Sequence, residues 1–134
     1  MFMESLQGLP AFALYFVSGY VMILLFTAIY TKATPHCEWT LMRENNSAAA
    51  VAFGLTVVGF TIPVASAAIN SVGVIDFIIW GGVAMVTQLL TYFTVRFYMP
   101  RLTERLTANE LPAGVFLGCC ALATGILNAA CMTY

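Results

Sequence analysis

Ala48-Ala49-Ala50-Val51-Ala52-Phe53-Gly54-Leu55-Thr56-Val57-Val58-Gly59-Phe60-Thr61-Ile62-Pro63-Val64-Ala65-Ser66-Ala67-Ala68-Ile69 runs through 22 residues without a charged side chain. Roughly 20 apolar residues of α-helix cross a hydrocarbon core of about 30 Å, so this stretch alone is long enough to span a bilayer. Its ends are marked. Glu44-Asn45-Asn46-Ser47 lead into it, and Asn and Ser side chains there can accept from the free N–H groups of a first turn. Asn70 and Ser71 close it. Inside, Ala52, Thr56, Gly59, Pro63 and Ser66 follow at spacings of four, three, four and three, which puts small and polar residues on one helix face.

Three more such stretches lie on either side. Residues 10–30 are uncharged, open with Pro10, whose missing N–H suits a first helical turn, and end before Lys32. Residues 77–98 follow Asp76, a carboxylate favourable near a helix N-terminus, and stop before Pro100. Residues 111–132 bring the chain almost to its end. The composition agrees: of 134 residues, 61% are hydrophobic and 8% charged, against about 25% charged in soluble domains. The expected fold is an all-α membrane protein, one four-span domain over residues 1–134. A net charge of −1 and five basic residues exclude a nucleic-acid footprint. Residues 1–9 carry no positive charge and the first apolar run is too long for a signal peptide, so Met1 is expected to start the mature chain.

Lys32 and Arg43 fall between spans one and two, and Arg96, Arg101 and Arg105 at or between spans three and four. All the basic residues therefore lie on one side. The positive-inside rule makes the 31–47 and 99–110 loops cytoplasmic, with both termini and the loop from Asn70 to Asp76 periplasmic. The first loop predicts a short interfacial helix opened by Thr34-Pro35, with Trp39 and Met42 on one face and Lys32 and Arg43 near anionic lipid. In the second, Leu102 and Leu106 share a side and Arg101 and Arg105 an adjacent one, which suits a lipid-surface turn or a docking site for a cytoplasmic protein.

Spans two and four align without gaps at an offset of 62, pairing Ala52 with Gly114, Thr56 with Gly118, Gly59 with Ala121, Pro63 with Gly125 and Ser66 with Asn128. This predicts two helical hairpins as a parallel repeat. Lipid is as apolar as leucine, so helices within it associate by close backbone approach and interhelical hydrogen bonds, which favour small residues. Gly59, Pro63, Ser66, Gly114, Gly118, Gly125 and Asn128 are the expected packing set, with spans two and four at the tight centre and spans one and three facing more lipid. Gln88, with Thr91 on its face, and Asn70 are the candidates for a polar path. Arg96, one turn from the cytoplasmic end, can snorkel to the headgroups.

Little points to an enzyme, a metal or a cofactor. His36, Cys37 and Glu38 are adjacent and cannot converge on one tetrahedral metal. The cysteines have no CxxC spacing; Cys119 and Cys120 suit apolar packing, and Cys131 lies near the outer face without a legible role. The sequon Asn45-Asn46-Ser47 falls on the cytoplasmic side.

Pro35-His36-Cys37-Glu38-Trp39, Ser66-Ala67-Ala68-Ile69-Asn70, Trp80-Gly81-Gly82, Arg96-Phe97-Tyr98-Met99-Pro100 and Asn128-Ala129-Ala130-Cys131-Met132-Thr133 resemble the YjfL-like family of small bacterial inner-membrane proteins. The resemblance covers nearly the whole chain. It implies four spans in a bacterial plasma membrane and no assigned catalytic residues, since the family is a domain of unknown function. Members are often encoded near phage-shock-protein-A-like membrane-remodelling proteins and enzymes resembling glutathionylspermidine synthase. The expected function is a non-enzymatic, self-associating module, a homo-oligomer that engages cytoplasmic partners in membrane maintenance or stress response. The alternative is a subunit of an ion or small-solute channel or transporter.

Overall fold

The computed structural model describes residues 2–33, 38–99 and 101–132. Seven helices and no strand occur among them: α1 (Phe2–Gln7), α2 (Leu9–Ala33), α3 (Glu38–Arg43), α4 (Ser47–Asn70), α5 (Val74–Tyr98), α6 (Leu102–Thr107) and α7 (Leu111–Cys131). Four of them, α2 (continued from α1), α4, α5 and α7, are long and apolar enough to cross a membrane. α1 was not expected; a turn at Gly8 separates it from α2. The helix opening at Thr34-Pro35, the His36-Cys37 pair, and the stop at Pro100 lie outside the described residues.

The long helices form a two-row strip. α2 packs on α4 and α5, α4 on α5 and α7, and α5 on α7. α4 and α7 run parallel in close contact: Ala48 meets Gly114, Val51 and Leu55 meet Gly118, Gly59 meets Ala121 and Gly125, and Ser66 bonds Ala129. α2 is seated by aromatic rings instead. Phe26 stacks on Phe60 at 4.4 Å between centroids, and Tyr30 lies 5.9 Å from Phe53 and 5.5 Å from Tyr92. Its opposite face, with Val17, Val21 and Leu24, is exposed, as a lipid-facing surface must be.

The short helices α3 and α6 enter the long ones by the same backbone. After α3, Asn45 takes φ 60° and the amide of Asn46 donates to Leu41; after α6, Asn109 takes φ 61° and the amide of Glu110 donates to Arg105. Asn45 and Asn109 also donate to Met42 and Leu106, completing two Schellman-type ends. Asn tolerates this left-handed conformation better than most residues. Asn46 and Glu110 then become the N-caps of α4 and α7 at nearly equal dihedrals, φ −79° and ψ 101° against φ −81° and ψ 95°. Every pair is separated by 64 residues. The offset of 62 matched residue types, whereas these helix entries match at 64; two residues turn a helix by about 200°, so the two registers equate opposite faces.

Candidate functional site

The bundle's polar residues concentrate where α5 meets the α4–α7 pair. Pro63 lies inside α4 without ending it, and having no N–H it leaves the Gly59 carbonyl without its usual helical donor. That carbonyl sits against Gly125 of α7, where any Cβ would overlap it. On Gly59 itself a Cβ would fall 2.8 Å from the Ala121 carbonyl carbon. Backbone therefore touches backbone in both directions. The Ala121 oxygen also accepts from Gln88 Nε2 at 3.0 Å, which ties α5 to the crossing. Gln88 is 1% exposed, and its Oε1 has no hydrogen-bond partner among the described residues.

One turn along α5, Thr91 Oγ1 donates to Thr124 Oγ1 of α7 at 2.9 Å. The two threonines line a cleft of about 460 Å³ between α5 and α7, with Thr94, Tyr98, Phe116 and Cys120. Toward the far end of α4, Ser66 Oγ donates to the Ala129 carbonyl at 3.0 Å, and Asn70 Nδ2 donates back to the Ser66 carbonyl and hydroxyl. Asn128 is half-buried and its Nδ2 lacks a partner among the described residues. Of the packing set, Gly59, Pro63, Ser66, Gly114, Gly118 and Gly125 thus lie along the α4–α7 contact or its freed carbonyl. Of the polar-path set, Gln88 and Thr91 share the α5–α7 crossing, while Asn70 is drawn into its own helix end beside Ser66.

The opposite end of the bundle is locked by asparagines. Asn46 is buried; its Oδ1 accepts from the Ala49 amide at 2.9 Å, and its Nδ2 donates to the Leu106 carbonyl at 2.8 Å and the Thr107 carbonyl at 3.2 Å. In return the Ala48 amide donates to Asn109 Oδ1 at 3.0 Å. The two connecting segments are therefore held to each other as well as to the membrane helices. Leu102 and Leu106 are buried on the expected shared side, and Trp39 packs edge-on against Phe53 while half its surface stays open. Arg43 and Arg101 are exposed and Arg105 is half-buried; Arg101 approaches Glu104 at 3.9 Å and Arg105 approaches Glu110 at 3.5 Å. Sequence reasoning placed a cap within Glu44-Asn45-Asn46-Ser47 without choosing Asn46, missed the bond to α6, and missed Asn109 and Thr124 altogether. A hint lay in the asparagine that precedes each of α4 and α7 by the same short interval.

Comparison with known proteins gives this chain a family. The family described as Domain of Unknown Function (DUF350) matches residues 3–132. The UPF0719 inner membrane protein YjfL of Escherichia coli (strain K12) is 50% identical over 132 residues, 98% of this chain and all of the relative. Its counterpart in Escherichia coli O157:H7 matches to the same extent. No solved structure matches.

Proposed function

This chain belongs to the DUF350 family of inner-membrane proteins, and from that premise we propose that it is a non-enzymatic, self-associating module of the bacterial inner membrane. It engages cytoplasmic proteins in membrane maintenance or stress response. The observation that carries the reading is where the polar side chains of the bundle are directed. Gln88, Thr91 and Ser66 each join two helices, and Asn46 and Asn109 join the connecting segments. Polar groups used in this way hold helices together in lipid.

The chain works as two hairpins in parallel repeat with both termini in the periplasm. All five basic residues lie at the end that carries α3 and α6, which is the support for that orientation. Trp39, Arg43, Arg101 and Arg105 then face the cytoplasm, where a partner protein docks. Labelling in intact cells tests this in chains whose other cysteines are changed to Ser: Val72→Cys, in the exposed turn between α4 and α5, reacts with an impermeant thiol reagent, and native Cys37 does not. The reverse pattern inverts the topology. Self-association is tested by light scattering and native mass spectrometry after gentle extraction. A multiple of the 14.5 kDa chain mass is expected; a clean monomer across several mild detergents removes the reading.

The second reading, a channel or transporter subunit, has one observation in its favour: the unpaired Gln88 Oε1 near the threonine-lined α5–α7 cleft. Ion flux into proteoliposomes that is abolished by Gln88→Leu establishes it. Absence of flux above protein-free vesicles favours the packing role.

A further inference from the structure

The α4–α7 contact joins two different faces of what the 64-residue backbone register treats as one repeated helix. α4 contributes Ala48, Leu55, Gly59 and Ser66; α7 contributes Gly114, Gly118, Gly125 and Ala129. Carried forward by 64, the α4 set becomes Pro112, Cys119, Ala123 and Ala130 of α7, and all four are exposed. Carried back by 64, the α7 set becomes Ala50, Gly54, Thr61 and Ala65 of α4; Thr61 is half-buried, the others are exposed, and a Cβ on Gly54 meets nothing within 4 Å. Each half of the α4–α7 contact thus has an unoccupied duplicate on the other helix.

The order of the helices leads to the same place. In the strip, α4 rests on both helices of the following hairpin, α5 and α7. Among the described residues no hairpin follows α7. At the opposite end, α2 and α4 form an open groove of about 180 Å³, lined by Tyr15, Phe16, Tyr20, Thr61 and Ala65 among others. It stands where the α5–α7 surface stands one repeat later. Small residues left open along a helix in lipid are the material of close helix contacts.

We infer that α7 of one copy seats in the α2–α4 groove of a second copy, continuing between chains the interface that α4 and α7 make within one. The contact is heterologous, so it builds a head-to-tail row that closes into a ring or extends. By the register, Cys119 of one copy lies over Gly54 of the next, Ala123 over Thr61, and Ala130 over Ala65. Phe116 stands where α4 has Ala52, so the seating between chains is wider than the seating within one. The inference rests on the self-association proposed above and supplies its geometry.

Disulfide trapping in membranes tests it. In a chain with Cys37, Cys120 and Cys131 changed to Ser, Gly54→Cys is paired with native Cys119 and oxidised with a copper catalyst. Because every copy then carries one thiol on each face, the expected product is a reducible ladder of dimers, trimers and longer species. The ladder collapses when Cys119→Ser is added. Ala65→Cys with Ala130→Cys, in a chain also carrying Cys119→Ser, gives the same ladder through an independent pair. Oligomers by light scattering without either ladder leave self-association standing and overturn this geometry. Dimers through Cys119 alone show a face-to-face contact and overturn it too, whereas a monomer removes both the geometry and the reading beneath it.

Discussion

The two sides of α4 are built from different material. Toward α7 it offers Ala48, Gly59 and the Gly59 carbonyl to an opposing backbone; toward α2 and α3 it offers the rings of Phe53 and Phe60 to Tyr30, Trp39 and Phe26. A backbone has no rotamers with which to give way, so the first contact sets the separation and register of its helices. Rings adjust by turning, and stacked or edge-on pairs add about 0.5–1.5 kcal/mol each beyond their burial. The difference teaches that one face of α4 specifies position and the other fills volume.

Substitutions that enlarge a residue should therefore hurt the first face and those that trim a residue should hurt the second. Gly125→Leu is expected to have the largest effect, about 3 kcal/mol or more, because even a Cβ there overlaps the Gly59 carbonyl. Thermal melting in detergent reads it, and an unchanged midpoint would show that α4 and α7 do not approach this closely. Gly118→Leu comes next, at about 2 kcal/mol. A Cβ there lies 2.7 Å from Leu55, a side chain that can partly move aside, and 3.1 Å from the Val51 carbonyl, which cannot. Trimming the ring face with Phe60→Leu is expected to cost about 1 kcal/mol while leaving the α4–α7 register intact. Cross-linking between engineered cysteines at Ser66 and Ala129 follows that register; a changed yield would make the ring contact a determinant of position as well. The smallest effect belongs to Gln88→Met, below about 1 kcal/mol, since interhelical hydrogen bonds in membranes average about 0.6. A loss several times larger in the same melting assay would make Gln88 a third fixed point beside the glycines.

The sequence reading succeeded where one residue type carries one physical meaning. Apolar runs near 20 residues long marked the spans, the polar run from Glu44 to Ser47 marked a capped start, and Gly59, Gly114, Gly118 and Gly125 marked close approach. It missed features that depend on the fold to bring distant residues together. The Asn109 side chain accepts from the Ala48 amide, which lies 61 residues away. The local backbone match at 64 was missed for a related reason. Small residues are so frequent in both α4 and α7 that several offsets align them. The register at 64 is carried instead by two left-handed asparagines whose neighbours differ, Asn46 after one and Glu110 after the other. Gln88 was legible as an amide in mid-membrane, but its acceptor is a backbone carbonyl, to which the sequence gives no clue.

The lengths of the long helices also bear on the lipid around them. α7 has 21 residues and α2 and α5 have 25 each, or about 31 Å against 37 Å at the rise of an α-helix. α4, with 24 residues, is nearly as long as α2 and α5, so α7 alone matches an ordinary bilayer, while the three longer helices exceed it and must lean or draw the lipid thicker around themselves. The fit to lipid is therefore uneven around the bundle and closest beside α7, and longer surrounding acyl chains relieve the mismatch at α2, α4 and α5.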